Sequence, residues 1–244
     1  MEKLYEGKAK IIYATDDSEI LTTQFKDDLT AFNSLKKGMA QGKGAINCHI
    51  SSVLFKLLES KDIATHFIDQ IADCEMRVRA VKIIPLEVVI RNIAAGSLCR
   101  QTGLIEGKIL PFPLVEFYLK NDELGDPLLT RDRLLILELA SPKQLEQLQS
   151  IALKINKCLT EFFASCQITL VDFKLEFGLD SQGNLLLADE ISPDTCRLWD
   201  QQTKNLRDRV LDKDRFRHDL GEVETAYQQV QQRILEKLGI RQRP

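Results

Sequence analysis

Over residues 170–178 the chain alternates charge and hydrophobe one position at a time: Asp172, Lys174 and Glu176 interleave with Phe173, Leu175 and Phe177. Successive side chains of a β-strand point to opposite faces, so the aromatic set shares one face and the charged set the other. The aromatic face must be buried, which leaves the charged face looking into solvent or a cleft. If Gln182 and Gly183 form a two-residue hairpin turn, Ser181 pairs with Asn184 and Glu176 falls directly opposite Asp189. Opposed like charges destabilise a sheet unless something compensates them. Mg²⁺ does so, since it binds through one or two carboxylates plus nucleotide phosphates. The plainer alternative is a solvated face neutralised by Lys174 and neighbouring bases. A slip of one residue would also turn Asp189 to the other face.

The rest of the chain supplies strands and three amphipathic helices. Residues 5–13 alternate as one strand, with Leu4, Glu6, Lys8, Lys10 and Ile12 on a common face. Residues 20–25, 65–68 and 77–84 read as further strands. Pro85 interrupts the pattern before it resumes over 86–91. From Ile46, the spacing of Ile50, Val53, Leu54, Leu57 and Leu58 predicts a helix. A second begins at Ser141, where Ser141, Pro142 and Gln144 make a capping box with proline in the first turn. Its inward face is Leu145, Leu148, Ala152, Ile155, Leu159 and Phe162. A third runs over 222–238, with Val223, Ala226, Tyr227, Val230, Ile234 and Leu238 inward, and ends at Gly239. The expected class is α+β in two lobes: a small β-rich N-terminal lobe, 1–84, and a larger α+β lobe, 85–244.

Composition removes several classes. A formal net charge of −3 argues against a nucleic-acid binder that relies on a broad basic field. No stretch reaches the roughly 20 apolar residues that span a bilayer, and the first seven residues lack a signal-peptide core, so no membrane and a cytoplasmic location are expected. The six cysteines are scattered without a Cys-x-x-Cys pair, which favours reduced, buried thiols over zinc or disulfides. The three histidines sit far apart, which gives no support to a His-rich metal site.

Three runs carry a resemblance. Residues 83–97 (IIPLEVVIRNIAAGS), 170–178 (LVDFKLEFG) and 189–200 (DEISPDTCRLWD) are similar to segments of the SAICAR synthetase family, and the opening YEGKAK at 5–10 and DRFR at 214–217 fit as well. The likeness spans nearly the whole chain. Between Trp199 and Asp214 the stretch is longer than in some members, so the Lys and Arg residues there are left unassigned. The resemblance implies an ATP-grasp-like or kinase-like fold with nucleotide between two lobes. It implies that ATP drives the joining of L-aspartate to CAIR, a carboxylated aminoimidazole ribonucleotide, giving SAICAR, ADP and phosphate. A homo-oligomer is left open, a dimer being the form expected.

On this resemblance, Gly7, Lys8, Ala9 and Lys10 are nucleotide-binding candidates: two ammonium groups over a polyphosphate, and a glycine that allows close backbone approach. Taken alone, the same run reads as a solvated strand. Lys82 and Lys120 are further nucleotide candidates that could equally be surface lysines. Gly96 and Ser97 open a short helix closed by Gly103, whose free N–H groups, with Ser97 and Arg91, would cradle the CAIR 5′-phosphate; a simple N-cap beside a surface arginine is the alternative. Arg197 and Arg217 join this anion site by resemblance. Asp172 suits a ribose hydroxyl, Lys174 a carboxylate or developing phosphoryl charge as the catalytic candidate, and Glu176 and Asp189 the metal. Trp199 reads as packing.

A carboxylate is a poor electrophile until one oxygen becomes a leaving group, so transfer of the γ-phosphoryl to CAIR is the economical route, catalysed by positioning and charge neutralisation. Two other classes fit part of the pattern: a small-molecule kinase, separable by aspartate consumption, and a nucleotide-binding regulatory module without turnover.

Overall fold

The computed structural model describes residues 2–31 and 35–240. Two antiparallel sheets dominate it. The first contains β1 (Lys3–Glu6), β2 (Lys10–Ala14) and β3 (Ile20–Phe25). A two-stranded ribbon, β4 (Asp28–Ala31) and β5 (Lys36–Met39), leads into helix α1 (Lys43–Glu59). Strands β6 (Phe67–Ala72) and β7 (Glu75–Arg79) complete the first sheet in the order β1-β2-β3-β7-β6. The second sheet starts with β8 (Lys82–Ile93), followed by the short helix α2 (Gly96–Thr102), β9 (Ile109–Leu119), β10 (Leu128–Leu129), α3 (Arg131–Ile136) and the long helix α4 (Pro142–Ser165). It closes with β11 (Ile168–Leu179), β12 (Leu185–Ala188) and β13 (Cys196–Asp200) in the order β10-β9-β8-β11-β12, with β13 also on β11. Helices α5 (Asp214–Arg217) and α6 (Val223–Leu238) end the fold.

The α+β class and two-sheet body follow from local patterns. Helix α4 carries its expected capping box, Ser141 Oγ accepting from the Gln144 amide at 3.2 Å and Gln144 Oε1 from the Ser141 amide at 2.9 Å. Its buried stripe, Leu145, Leu148, Ala152, Ile155, Leu159 and Phe163, lies on β8, β9 and β11. Phe163, not Phe162, takes the innermost place, and Leu238 of α6 is partly exposed rather than inward. Asn92 of β8 bonds Asn156 of α4 at 2.8 Å, so the neighbouring Arg91 is turned to the opposite face of the sheet. Helix α1 fills the space between the first sheet and α6. No helix among the described residues is long and apolar enough to cross a membrane.

Three local expectations are corrected. Residues 5–13 are a hairpin, not one strand: Gly7, Lys8 and Ala9 turn between β1 and β2, with the Gly7 amide donating to the Lys10 carbonyl at 2.8 Å. Lys8 therefore sits at a turn rather than on a strand face with Lys10, because alternation cannot reveal a reversal three residues long. Pro85 does not interrupt its strand. The register of β8 against β11 jumps from Glu87↔Glu176 to Ile83↔Gly178, and the missing proline N–H falls inside that bulge.

The third correction concerns the β11–β12 register, which is one residue off the two-residue turn. Asp180 closes a longer loop on Asn184, with Gly183 at φ 79°, and Glu176 stands opposite Ala188. Asp189 lies just past the strand in left-handed backbone, φ 63°. That turn brings its carboxylate back to the charged face that strict alternation would deny it.

Candidate active site

The registers of the second sheet write the site in rows. Leu114, Arg91, Asp172 and Arg197 stand side by side across β9, β8, β11 and β13. Two residues along, roughly 7 Å away, Glu116, Val89 and Lys174 form the next row. Tyr118, Glu87 and Glu176 form the third. This face floors a cavity of about 830 Å³, and the first sheet roofs it with the Gly7–Ala9 turn, Lys10, Ile12, Leu21 and Val78. Lys8 spans the gap to Asp122, beyond β9, at 2.6 Å.

At one end lies an arginine pole. Arg91 is 5% exposed and donates to Glu116 (2.6 Å), Ser97 (2.9 Å), Asp172 (3.0 Å) and Tyr118 (3.1 Å). Arg197 grips the same Asp172 oxygen and donates to Asp214 at 2.6 Å, and Arg217 reaches the other Asp214 oxygen at 2.7 Å. Burial opposes ionisation of Asp214, but Arg197 and Arg217 lower its carboxyl to about 2. Arg197 is itself held above its ordinary range: burial works against it, and Asp172 and Asp214 outweigh burial. Gly96 makes room for this arrangement. Its φ is 55°, and a Cβ there would lie 2.7 Å from the Arg197 guanidinium.

At the other end three lysines face four carboxylates. Lys174 contacts Glu176 at 2.6 Å, Asp189 at 3.1 Å and Glu87 at 3.3 Å. Lys10 contacts Asp189 and, at 3.0 Å, Glu190, while Lys120 contacts Glu176. Burial pulls the Lys174 ammonium down, but Asp189, Glu176 and Glu87 hold it well above the usual lysine range. Burial likewise opposes Asp189, and Lys10 and Lys174 keep it far below the usual carboxylate range. Glu87 moves upward through burial, against the pull of Lys174.

No group of three or more His, Cys, Asp or Glu side chains among the described residues is placed to hold a metal unaided. Mg²⁺ asks for less, because it keeps waters and takes substrate phosphates as ligands. Glu176 and Asp189 offer hard oxygens that already converge on one cation, the Lys174 ammonium. The donor set fits.

Of the residues singled out from sequence, Gly7, Lys8, Ala9, Lys10, Arg91, Ser97, Lys120, Asp172, Lys174, Glu176, Asp189, Arg197 and Arg217 all line this one cavity. Lys82 does not: it is exposed, and its neighbours Val81 and Ile83 line the cavity instead. Glu87, Glu116, Glu190, Asp194, Lys213 and Asp214 were not assigned from sequence. The alternation Glu87-Val89-Arg91 could have revealed the first. Lys213 and Asp214 reach the site only through the packing of α5. Trp199 is 6% exposed, with the Arg209 guanidinium 3.5 Å above its ring. All six cysteines are free.

A family model described as SAICAR synthetase matches residues 3–234. The phosphoribosylaminoimidazole-succinocarboxamide synthase of Trichodesmium erythraeum (strain IMS101) is 69% identical over 238 residues, 98% of each chain. That of Nostoc punctiforme is 67% identical over 233 residues, 96% of this chain and 95% of its own. Among solved structures, the synthase of the same name from Ehrlichia chaffeensis matches with a TM-score of 0.92 at 46% identity, over 99% of this chain and 100% of that one. A SAICAR synthetase solved in complex with ADP matches with a TM-score of 0.91 at 47% identity, over 95% and 97% of the two chains.

Proposed function

The chain belongs to the SAICAR synthetase family and carries out its reaction, the ATP-dependent ligation of L-aspartate to CAIR in purine biosynthesis; we propose that the CAIR carboxylate is phosphorylated first and that the aspartate amine then displaces the phosphate. The observation that carries this reading is the face of β11. Asp172, among arginines, and Glu176, among lysines, flank Lys174 at one-row spacing, so an anionic ribonucleotide and a polyphosphate would meet at Lys174.

In this reading Arg91, Ser97 and Arg197 hold the CAIR phosphate, Arg217 supports them through Asp214, and Asp172 receives a ribose hydroxyl. The turn Gly7-Lys8-Ala9, with Lys10 and Lys120, covers the ATP phosphates, and Ile12, Leu21 and Val78 offer apolar contact to the base. Lys82, outside the cavity lining, takes no part. The first sheet, within residues 1–81, acts as roof, and the second, which begins with β8 at Lys82, as floor. Glu176 and Asp189 would hold Mg²⁺, which supplies charge neutralisation to transferring phosphoryl oxygens when bound. Lys174, released from its carboxylates, steadies the acceptor carboxylate in line with the γ-phosphoryl group. A cytoplasmic homodimer completes the proposal, and light scattering tests the dimer.

Two measurements test the chemistry. ADP release must require both CAIR and aspartate. With heavy oxygen in the CAIR carboxylate, one label must appear in inorganic phosphate, because the oxygen that accepted the phosphoryl group leaves with it. Unlabelled phosphate beside fully labelled SAICAR would exclude the acyl phosphate.

A further inference from the structure

Five lysines line the cavity: Lys8, Lys10, Lys120, Lys174 and Lys213. The first four each lie within salt-bridge distance of a carboxylate. Lys213 has no side-chain hydrogen bond or ion pair among the described residues, although its backbone is pinned where the amide meets the Pro193 carbonyl at 3.0 Å. Its place follows from the residues beside it. Asp214, the next residue, anchors Arg197 and Arg217. Asp194 and Thr195 line the cavity next to Pro193, and the Thr195 carbonyl accepts from the Lys174 amide at 2.9 Å. Lys213 therefore stands beside the reacting end of the floor, between the arginine pole and the strand that carries Lys174.

We propose that Lys213 is the base that takes the proton from the α-ammonium group of the incoming amino acid. The assignment rests on the acyl-phosphate reading above. A lysine kept as ammonium in a cleft is ordinarily paired, as the other four are; an unpaired one in a partly desolvated wall favours the free amine. Burial is the dominant influence on it, and the charges facing it are divided. Burial lowers Lys213, and Arg217 of α5 and Lys43 of α1 add to that, against Asp194 and Glu190 of the segment before β13. Asp194 is hydrogen-bonded by Lys43 at 2.6 Å and by the Tyr227 hydroxyl at 2.7 Å, and it acts on Lys213 through space without a direct contact.

The step balances. The Lys213 amine takes one proton from the ammonium, and the freed nitrogen lone pair attacks the acyl carbon. The bond from that carbon to the bridging oxygen breaks, and phosphate departs with both electrons. The second nitrogen proton goes to the departing phosphate, which leaves an amide and a protonated Lys213.

Lys213→Met and Lys213→Arg test this with aspartate as the varied substrate. General bases contribute typically 10²- to 10⁴-fold, so both variants should lose about that factor in kcat/KM for aspartate, with ATP and CAIR affinity near normal. In Lys213→Met the residual rate should climb about tenfold per pH unit between pH 7 and 9, tracking free aspartate amine, where the wild type levels off. Lys213→Arg keeps the charge and cannot act as a base. An active Lys213→Arg would mean that Lys213 works as a cation, and would overturn the proposal, as would a near-normal Lys213→Met. The heavy-oxygen experiment on the wild type reports separately on the acyl phosphate. Labelled phosphate together with an active Lys213→Arg would leave the reaction sequence standing and remove only the base.

Discussion

The Lys174 ammonium lies 3.1 Å from the Asp189 carboxylate while holding Glu176 at 2.6 Å, so a lysine occupies the point where two proposed metal ligands converge. A divalent cation held by both carboxylates would have to displace it, which would free the ammonium for an acceptor carboxylate.

Lys174→Met should therefore separate metal binding from turnover. Removing one of three cations from four carboxylates raises the local negative charge, so Mn²⁺ binding to the ligand-free protein should tighten, by about tenfold for roughly 1.4 kcal/mol. Turnover should fall by about 10²- to 10³-fold, as for loss of one preorganised charge at a reacting group. Paramagnetic titration and steady-state rates check the pair of outcomes. Weaker Mn²⁺ binding would place the metal elsewhere.

Arg197 needs a gentler substitution than alanine. It compensates two buried carboxylates, Asp172 and Asp214, and breaking a buried pair by removing one partner costs about 3–5 kcal/mol of stability. Arg197→Lys keeps the charge but loses the fork that bridges both. With hydrogen bonds to charged groups worth about 1.5–3 kcal/mol, CAIR should bind roughly 10- to 100-fold more weakly, and ATP should be little changed. Calorimetric titration of each substrate decides it. Equal weakening of both would move Arg197 out of the ribonucleotide site.

Gly96→Ala attacks the same pole from the backbone. A φ of 55° costs a non-glycine residue about 1–2 kcal/mol, and the added Cβ meets a guanidinium that Asp172 and Asp214 hold in place. Melting should drop by a few degrees, at about 2–4 °C per kcal/mol for a chain of this size. CAIR affinity should fall along with it. Unchanged melting and CAIR binding would mean that Arg197 swings aside freely.

What was legible in the sequence was what depends on short periods. Asp172, Lys174 and Glu176 share a face because alternation is a property of one strand, and the Ser141–Gln144 cap sits within one turn of its helix. What depends on turns and packing was not. Lys8 left its expected face because a three-residue turn intervenes. The β12 register moved by one because the hairpin loop closes at Asp180 and Asn184, and Asp189 regains the cleft only through its left-handed backbone. Lys213 and Asp214 enter through α5, more than 30 residues after β11 in the chain. No local pattern encodes that approach.

The last prediction concerns acid stability and His66, which is 6% exposed, stands edge-on to Phe55 with ring centroids 5.4 Å apart, and has a buried Nε2 without a partner. Burial, aided by the nearby Lys10, lowers its folded pKa to about 3, whereas an unfolded histidine titrates near 6.5. Above pH 6.5 both states are neutral and His66 contributes no pH dependence. As pH falls below 6.5 the unfolded chain takes up a proton that the folded one refuses, so stability is lost at up to about 1.4 kcal/mol per pH unit until pH nears 3. Asp212 works in the opposite sense: burial and Asp214 raise its carboxyl to about 7, so the folded state gains protons, and stability, as pH falls from 7 toward 4. The wild-type curve mixes the two, and the comparison with His66→Gln isolates the histidine. The variant should gain on the wild type progressively from pH 6.5 to 4.5 in urea unfolding at fixed salt. A difference that stays constant over that range would mean that His66 is protonated in the folded protein.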